Sequence, residues 1–334
     1  MTFSTALGSK NTMTSVLVEA RLRGGSRGLG ECATSFVLPD ENVRKIREII
    51  RQETPHIIGK DAGEYPAIIA GIRLRHLEFP MTVSGLETAL FRAFIASSSK
   101  DELQWFGGLS DRIETDITIP FTDDEAFLDH WISHAAKAGF RSYKIKVSGQ
   151  YREDSRLLDN CSRILSEKGI DYRMRLDGNQ GFSAGKLLKF VDYIGKHNYP
   201  VELFEQPLPK DDRNGLRDIT KNSPVPVILD ETIFTPAHLE RAIGEGLGHG
   251  VNIKIAKSGI TQSLAILKFA RQHGFRTMAG CMTESMTGLS AAIHMAMGTK
   301  GFDYIDLDSI HYLRHRKQYG DILVEGPTYN INHH

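Results

Sequence analysis

Beyond residue 114 the chain alternates two kinds of segment. Short runs rich in apolar and β-branched residues occur at 117–120, 142–147, 172–177, 201–205, 225–230, 250–255, 276–280 and 303–308. Between them lie longer stretches in which apolar residues recur every three or four positions, as at 124–138, 183–197, 260–273 and 285–297. The first pattern predicts strands and the second amphipathic helices. The ends of runs two to six fall at Lys146, Asp177, Glu205, Asp230 and Lys254, spaced 31, 28, 25 and 24 residues apart. That is the length of a βα unit, and successive βα units build a parallel sheet. Eight of them in about 200 residues predict a (β/α)8-type barrel.

The first 113 residues lack this rhythm. Residues 15–21 alternate as a strand, and the glycines at 24–25 followed by Gly28-Leu29-Gly30-Glu31 predict a hairpin. The pair Gly28 and Gly30 reads as a turn entering a strand, since no helix follows directly as a phosphate-binding loop would require. Residues 41–53 and 84–97 have helical spacing. The expected organisation is therefore an α+β capping domain (1–113), a barrel (114–310) and a C-terminal tail (311–334) that packs on the cap, with a short strand at 322–324.

Composition narrows the setting. Lys and Arg total 41 and Asp and Glu total 41, so there is no basic excess for nucleic acid or an anionic membrane. No apolar run reaches the length of a membrane span, and the N-terminus lacks the apolar core of a signal peptide. Cys32, Cys161 and Cys281 are odd in number and far apart, which argues against disulfides and fits a reducing compartment. A cytoplasmic protein is expected.

The predicted strand ends carry the chemistry. Lys144 and Lys146 close the second strand and share a face, because strand residues two apart point the same way. Asp177, Glu205 and Asp230 close the next three, Lys254 the sixth, and Asp306 and Asp308 the eighth. In such a barrel these ends form the active face. Three converging carboxylates repel one another unless a cation sits among them, and an all-oxygen donor set suits Mg²⁺. A lysine near a metal and a second cation acquires a lowered pKa and can serve as a base. Singly, an acid at a strand end is an N-cap and a Lys-x-Lys pair a solvated edge; six strand ends in order carrying acid or lysine argue for a site. Cys281 and His294 read as core, or as neighbours of that site.

At these residues the sequence resembles the enolase superfamily, in its muconate-lactonizing subgroup. The matching segments are Lys-Ile-Lys (144–146), Arg-Leu-Asp-Gly-Asn-Gln (175–180), Phe-Glu-Gln-Pro (204–207), Leu-Asp-Glu (229–231) and Asn-Ile-Lys-Ile-Ala-Lys-Ser-Gly (252–259). Asp306-Leu307-Asp308 resembles the signature of the dipeptide epimerases. The resemblance implies Asp177, Glu205 and Asp230 as Mg²⁺ ligands, Lys146 and Lys254 as acid/base catalysts, and Lys144 as their electrostatic neighbour. It further implies that Asp306 and Asp308 hold a substrate ammonium, with Cys281 and Met282 beside the substrate and Asn179, Glu231 and Glu284 in support. The expected partner is a small dipeptide, with homo-oligomers possible. Other reactions of the subgroup, N-acylamino acid racemisation, cycloisomerisation and o-succinylbenzoate synthesis, form the alternative.

Three departures from the family pattern stand out. The segment Phe3-Ser4-Thr5-Ala6-Leu7 precedes Gly8, where members acting on Ala-Glu carry an arginine; Lys10 is two residues further on. The chain starts two residues before Phe3, so a cap sheet one strand short is expected. Ser258-Gly259 stands where two glycines are common. Loops at about 8–14 and 33–40, with Ser35, Phe36 and Leu38, are expected to close over the barrel mouth and read the substrate side chain.

Overall fold

The computed structural model describes residues 12–35, 37–98, 100–313 and 320–332, together with the backbone of 3–5 and 8–10. Eight strands form one parallel sheet in sequence order: β1 (Ile117–Ile119), β2 (Ser142–Lys146), β3 (Arg173–Asp177), β4 (Val201–Glu205), β5 (Val227–Leu229), β6 (Gly250–Lys254), β7 (Arg276–Gly280) and β8 (Tyr304–Asp306). These are the eight predicted runs, two of them unchanged and six trimmed by one to three residues. Helices follow the first seven, the predicted four among them, at Glu125–Lys137, Ala184–Lys196, Ile255–Gln272 and Met286–Thr299. After β8 the described residues form a 3-10 turn, Ser309–Tyr312.

Register decides which side chains meet. Lys146 pairs with Asp177, and Asp177 with Glu205, so three charged residues lie in one row across β2, β3 and β4. Lys254, Gly280 and Asp306 form a second row across β6, β7 and β8. Beneath these rows Leu203, Ile228 and Met278 fill the barrel floor.

The seam between β1 and β8 has no strand ladder among the described residues. Asp116 N–H donates to Ile305 O at 3.3 Å, and Leu307 N–H to the Thr115 hydroxyl at 2.8 Å. Thr118 N–H donates to the Asp308 carboxylate at 2.6 Å. Side chains thus replace part of the backbone pairing that would close the barrel.

The cap contains an antiparallel hairpin (Ser15–Arg21 with Arg27–Ala33) and helices Val43–Ile57, Tyr65–Arg75 and Pro80–Ala96. Tyr65–Arg75 escaped the sequence reading because its apolar residues do not keep to one side: Leu74 is exposed while Ile69 and Ile72 are buried. Gly28 and Gly30 lie inside the second hairpin strand, not in a turn. They are glycine because helix Pro80–Ala96 crosses so closely that a Cβ would run into the backbone of Gly85 and Ala89. The tail strands Ile322–Glu325 and Thr328–Ile331 pair with each other, and the second also pairs with Arg112–Glu114, at the junction of cap and barrel.

Buried charges dock the cap onto the barrel. Glu31 accepts from Ser285 N–H and Gly288 N–H, capping a barrel helix from a cap strand. Glu87 accepts from Thr261 N–H at 2.8 Å beside the left-handed Gly259, where a side chain would strike that carboxylate. Arg92 donates to Leu29 O, Thr287 O, the Ser290 hydroxyl and Glu102.

His294 binds Glu102 at 3.2 Å and Asp321 at 3.1 Å, and so joins barrel, cap and tail far from the predicted strand-end residues. Burial opposes its charge, but the two carboxylates outweigh that and raise its pKa to about 9. A raised folded pKa stabilises fully below the unfolded value near 6.5, and the gain fades as pH rises through 9. Stability is expected to fall by about 2 kcal/mol between pH 6.5 and 9.5, since the half-exposed Asp321 is partly screened. Urea titrations across that range measure it; an equal fall in His294→Gln would contradict the assignment.

Candidate active site

The strand ends converge on a cavity of about 140 Å³ under the cap, lined by Lys144, Lys146, Asn179, Asp230, Glu231, Lys254, Lys257, Cys281, Met282, Asp306 and Asp308. Asp177 and Glu205 lie fully buried at its base. Lys144 Nζ sits among Asp306 (2.6 Å), Glu205 (2.7 Å) and Asp177 (3.1 Å). Lys146 Nζ is 2.6 Å from Asp177. On the opposite side of the barrel, Lys254 Nζ is 2.7 Å from Asp230 and 3.8 Å from Glu205. The predicted lysines and carboxylates therefore form one connected cluster.

The backbone around the cluster is specialised. Asn179, Gln180 and Gln206, which follow the ends of β3 and β4, have positive φ of 37°, 68° and 29°. Such conformations cost energy outside glycine and are held here by tertiary contacts. Asn179 N–H donates to Asp177, and Gln206 receives the backbone N–H groups of Asp230 and Thr232. Asn252 on β6 donates to Glu205 at 2.8 Å.

Electrostatics differ between the carboxylates. Burial pushes Asp177 up, but the Lys146 and Lys144 ammoniums more than reverse this and hold it at about 2. Glu205 rises to about 7, through burial and then repulsion from Asp177. Asp230 is held well below the usual range by Lys254 and Lys257 despite its burial. Glu231 rises to about 8, through burial and then repulsion from Asp230 and Asp177. Glu284 rises to about 8, through burial and the nearby Glu31.

One expectation needs correction. The carboxylates whose oxygens approach within 4.8 Å of one another, among the described residues, are Asp116, Asp306 and Asp308 rather than Asp177, Glu205 and Asp230. Ammoniums explain this: Lys144 lies between Asp177 and Glu205, and Lys254 between Glu205 and Asp230. Burial lowers the Lys254 pKa, but with these carboxylates as its neighbours Asp230 and Glu205 together raise it above the usual lysine value. Both groups are engaged, the first by Arg175 on Asp116 (2.8 Å), Lys144 on Asp306 and Thr118 on Asp308, the second by Lys144, Lys146, Lys254 and Lys257. The second is an all-oxygen set from successive strands, with the unpartnered Asn179 Oδ1 and Glu231 Oε2 beside it. That donor chemistry fits a hydrated Mg²⁺.

Further residues join the site. Lys257, three residues past Lys254 in the first helical turn, reaches back to Asp230 Oδ1 and Asp230 O, both at 2.6 Å. The repeated lysine of Lys254-Ile255-Ala256-Lys257 was its only signal. Arg175, two residues before Asp177, faces inward by strand alternation and bridges Asp116 and Glu202. Tyr312 and Thr118 line the cavity beside Asp308. Of the expected lid, Ser35 and Leu38 line the mouth together with Val37 and Phe234; Phe36 and the side chain of Lys10 lie outside the described residues. Burial and then Asp308 and Asp306 raise the Cys281 thiol above its ordinary pKa, which disfavours the thiolate.

Residues 128–332 match the family model described as enolase C-terminal domain-like. The chain is 30% identical to L-Ala-D/L-Glu epimerase of Thermotoga maritima, over 95% of this chain and 90% of that protein. Its fold superposes on the substrate-liganded L-Ala-D/L-Glu epimerase of Bacillus subtilis with a TM-score of 0.92, at 27% identity, covering 99% of this chain and 92% of the other. A dipeptide epimerase of Enterococcus faecalis, complexed with Mg and L-Leu-L-Tyr, superposes with a TM-score of 0.89 at 25% identity, covering 99% and 93%.

Proposed function

We propose, from the premise that the chain belongs to the enolase C-terminal domain-like family, that it is a Mg²⁺-dependent dipeptide epimerase inverting the α-carbon of the C-terminal residue. The observation that carries this reading is the pair Lys146 and Lys254. They come from β2 and β6, on opposite sides of the barrel, and line one cavity with the carboxylates between them. One lysine can remove the α-proton from one face, and the other can return a proton to the opposite face. Lys144, the most central ammonium, faces the charge that develops on the substrate carboxylate. Asp177, Glu205 and Asp230 would hold Mg²⁺, which supplies Lewis-acid stabilisation of that same charge.

Asp308, and Asp306 beyond its contact with Lys144, offer carboxylate oxygens to the free ammonium of the N-terminal residue. An N-acylated or cyclised substrate, as in the alternative reactions, would bring no ammonium to them. At the mouth, Val37, Leu38, Phe234 and Met282 present apolar surface. We assign the C-terminal side chain to that surface, and so favour dipeptides with an apolar C-terminal residue.

The test is α-proton exchange in D₂O over a dipeptide set, read by mass spectrometry. Exchange should depend on Mg²⁺, falling at least about 10³-fold with EDTA and returning when Mg²⁺ is restored. No metal-dependent exchange on any dipeptide would refute the reading, and faster exchange on N-acyl amino acids would favour the alternative.

A further inference from the structure

We propose that Tyr312 is a positioning residue for substrate recognition: it orients Asp308 so that one carboxylate oxygen faces the ammonium of the N-terminal residue. The inference rests on the dipeptide reading above. Tyr312 lies in the 3-10 turn that follows β8. Its hydroxyl is 2.8 Å from Asp308 Oδ2 and 2.7 Å from Thr118 O. A phenol has one proton to give. The Thr118 carbonyl already accepts the Trp131 indole N–H at 3.1 Å, so the proton goes preferentially to the carboxylate oxygen, where the bond is charge-assisted.

The same oxygen also accepts Thr118 N–H at 2.6 Å. Asp308 Oδ2 is thus held by two donors, one on β1 and one in the turn after β8, across the seam that lacks a ladder. With Oδ2 held on both sides, the carboxylate cannot rotate freely, and Oδ1 is the oxygen left for a ligand. Tyr312 is itself fixed by its ring, 5.5 Å from that of Trp131 on the first barrel helix. Burial beside Asp308 raises the phenol well above its ordinary pKa, so it remains a donor at any working pH.

The experiment compares wild type with Tyr312→Phe on a dipeptide and on its N-acetyl counterpart, by exchange kinetics and by calorimetric binding. Phenylalanine keeps the ring contact with Trp131 and removes only the hydroxyl. KM and Kd for the free-amine dipeptide are expected to rise about tenfold in Tyr312→Phe, with kcat within about twofold and the weak Kd for the N-acetyl compound unchanged. Equal changes for both compounds would mean a merely structural role and overturn the proposal, as would no change in either. A fall in kcat at constant KM would place Tyr312 in the chemistry instead and also overturn it. Should wild type exchange no dipeptide, the epimerase reading itself fails; wild-type exchange with an unresponsive Tyr312→Phe rejects the positioning role alone.

Discussion

Replacing Lys254 by methionine is expected to abolish inversion, by at least about 10³-fold, while α-proton exchange survives from one enantiomer of the substrate. The proposed two-lysine transfer implies this asymmetry. Lys146, on the far side of the barrel, keeps its contact with Asp177 and, on that proposal, still faces the substrate from its own side. It can take a proton and return deuterium to the same face. Without Lys254 nothing donates to the opposite face, so label enters and configuration is retained. Lys146→Met should show the mirror result, with exchange surviving only from the other enantiomer. Methionine approximates the length of the lysine stem and leaves Asp230 paired with Lys257, which limits collateral damage. Chiral separation of deuterated products distinguishes the outcomes. If both variants lose exchange equally from both enantiomers, the two lysines do not divide the faces, and the 1,1-transfer fails.

The largest effect on stability is expected at Arg92. It is buried at the cap–barrel junction and bonds to two backbone carbonyls, one hydroxyl and the Glu102 carboxylate. Arg92→Leu fills much of the volume but removes the donor these acceptors share in a low-dielectric setting. Breaking a buried pair on one side costs about 3–5 kcal/mol. For a chain of this size the melting temperature should fall by about 4–7 °C. Glu102, now held at about 2 by Arg92 and His294 in spite of its burial, would rely on His294 alone. Arg92→Lys should recover part of the loss, because a lysine keeps the charge but not the planar fork. A shift of less than about 2 °C in Arg92→Leu would show that the junction does not depend on this side chain.

Much of the barrel could be read from the sequence because period-2 runs and period-3.6 stretches alternate at near-constant spacing. The strand ends were legible for the same reason: a charged residue closing an apolar run is conspicuous. What escaped reading depends on contacts between distant positions. Tyr312 meets Thr118, 194 residues away. Asp116 meets Arg175, 59 residues away, and Asn252 meets Glu205 across 47. No local pattern marks such partners. The set of carboxylates around Lys254 was likewise illegible, because only the fold brings Asp230 and Glu205 to it. Gly28 and Gly30 were visible as glycines, but their reason, a helix backbone lying against a strand, is a property of packing.

The pairing of Lys146 with Asp177 and of Asp177 with Glu205 sets a limit on how such a protein can change. A one-residue insertion in β2, β3 or β4 would reverse the pleat downstream, turning a functional side chain outward among the helices. Chemistry and strand length are therefore locked together, and drift in these strands is confined to substitutions. Ser35, Val37 and Leu38 carry no such constraint, since they come from a cap loop outside the ladder. New substrate ranges are expected to arise there, by insertion as readily as by substitution, while the catalytic barrel is inherited unchanged.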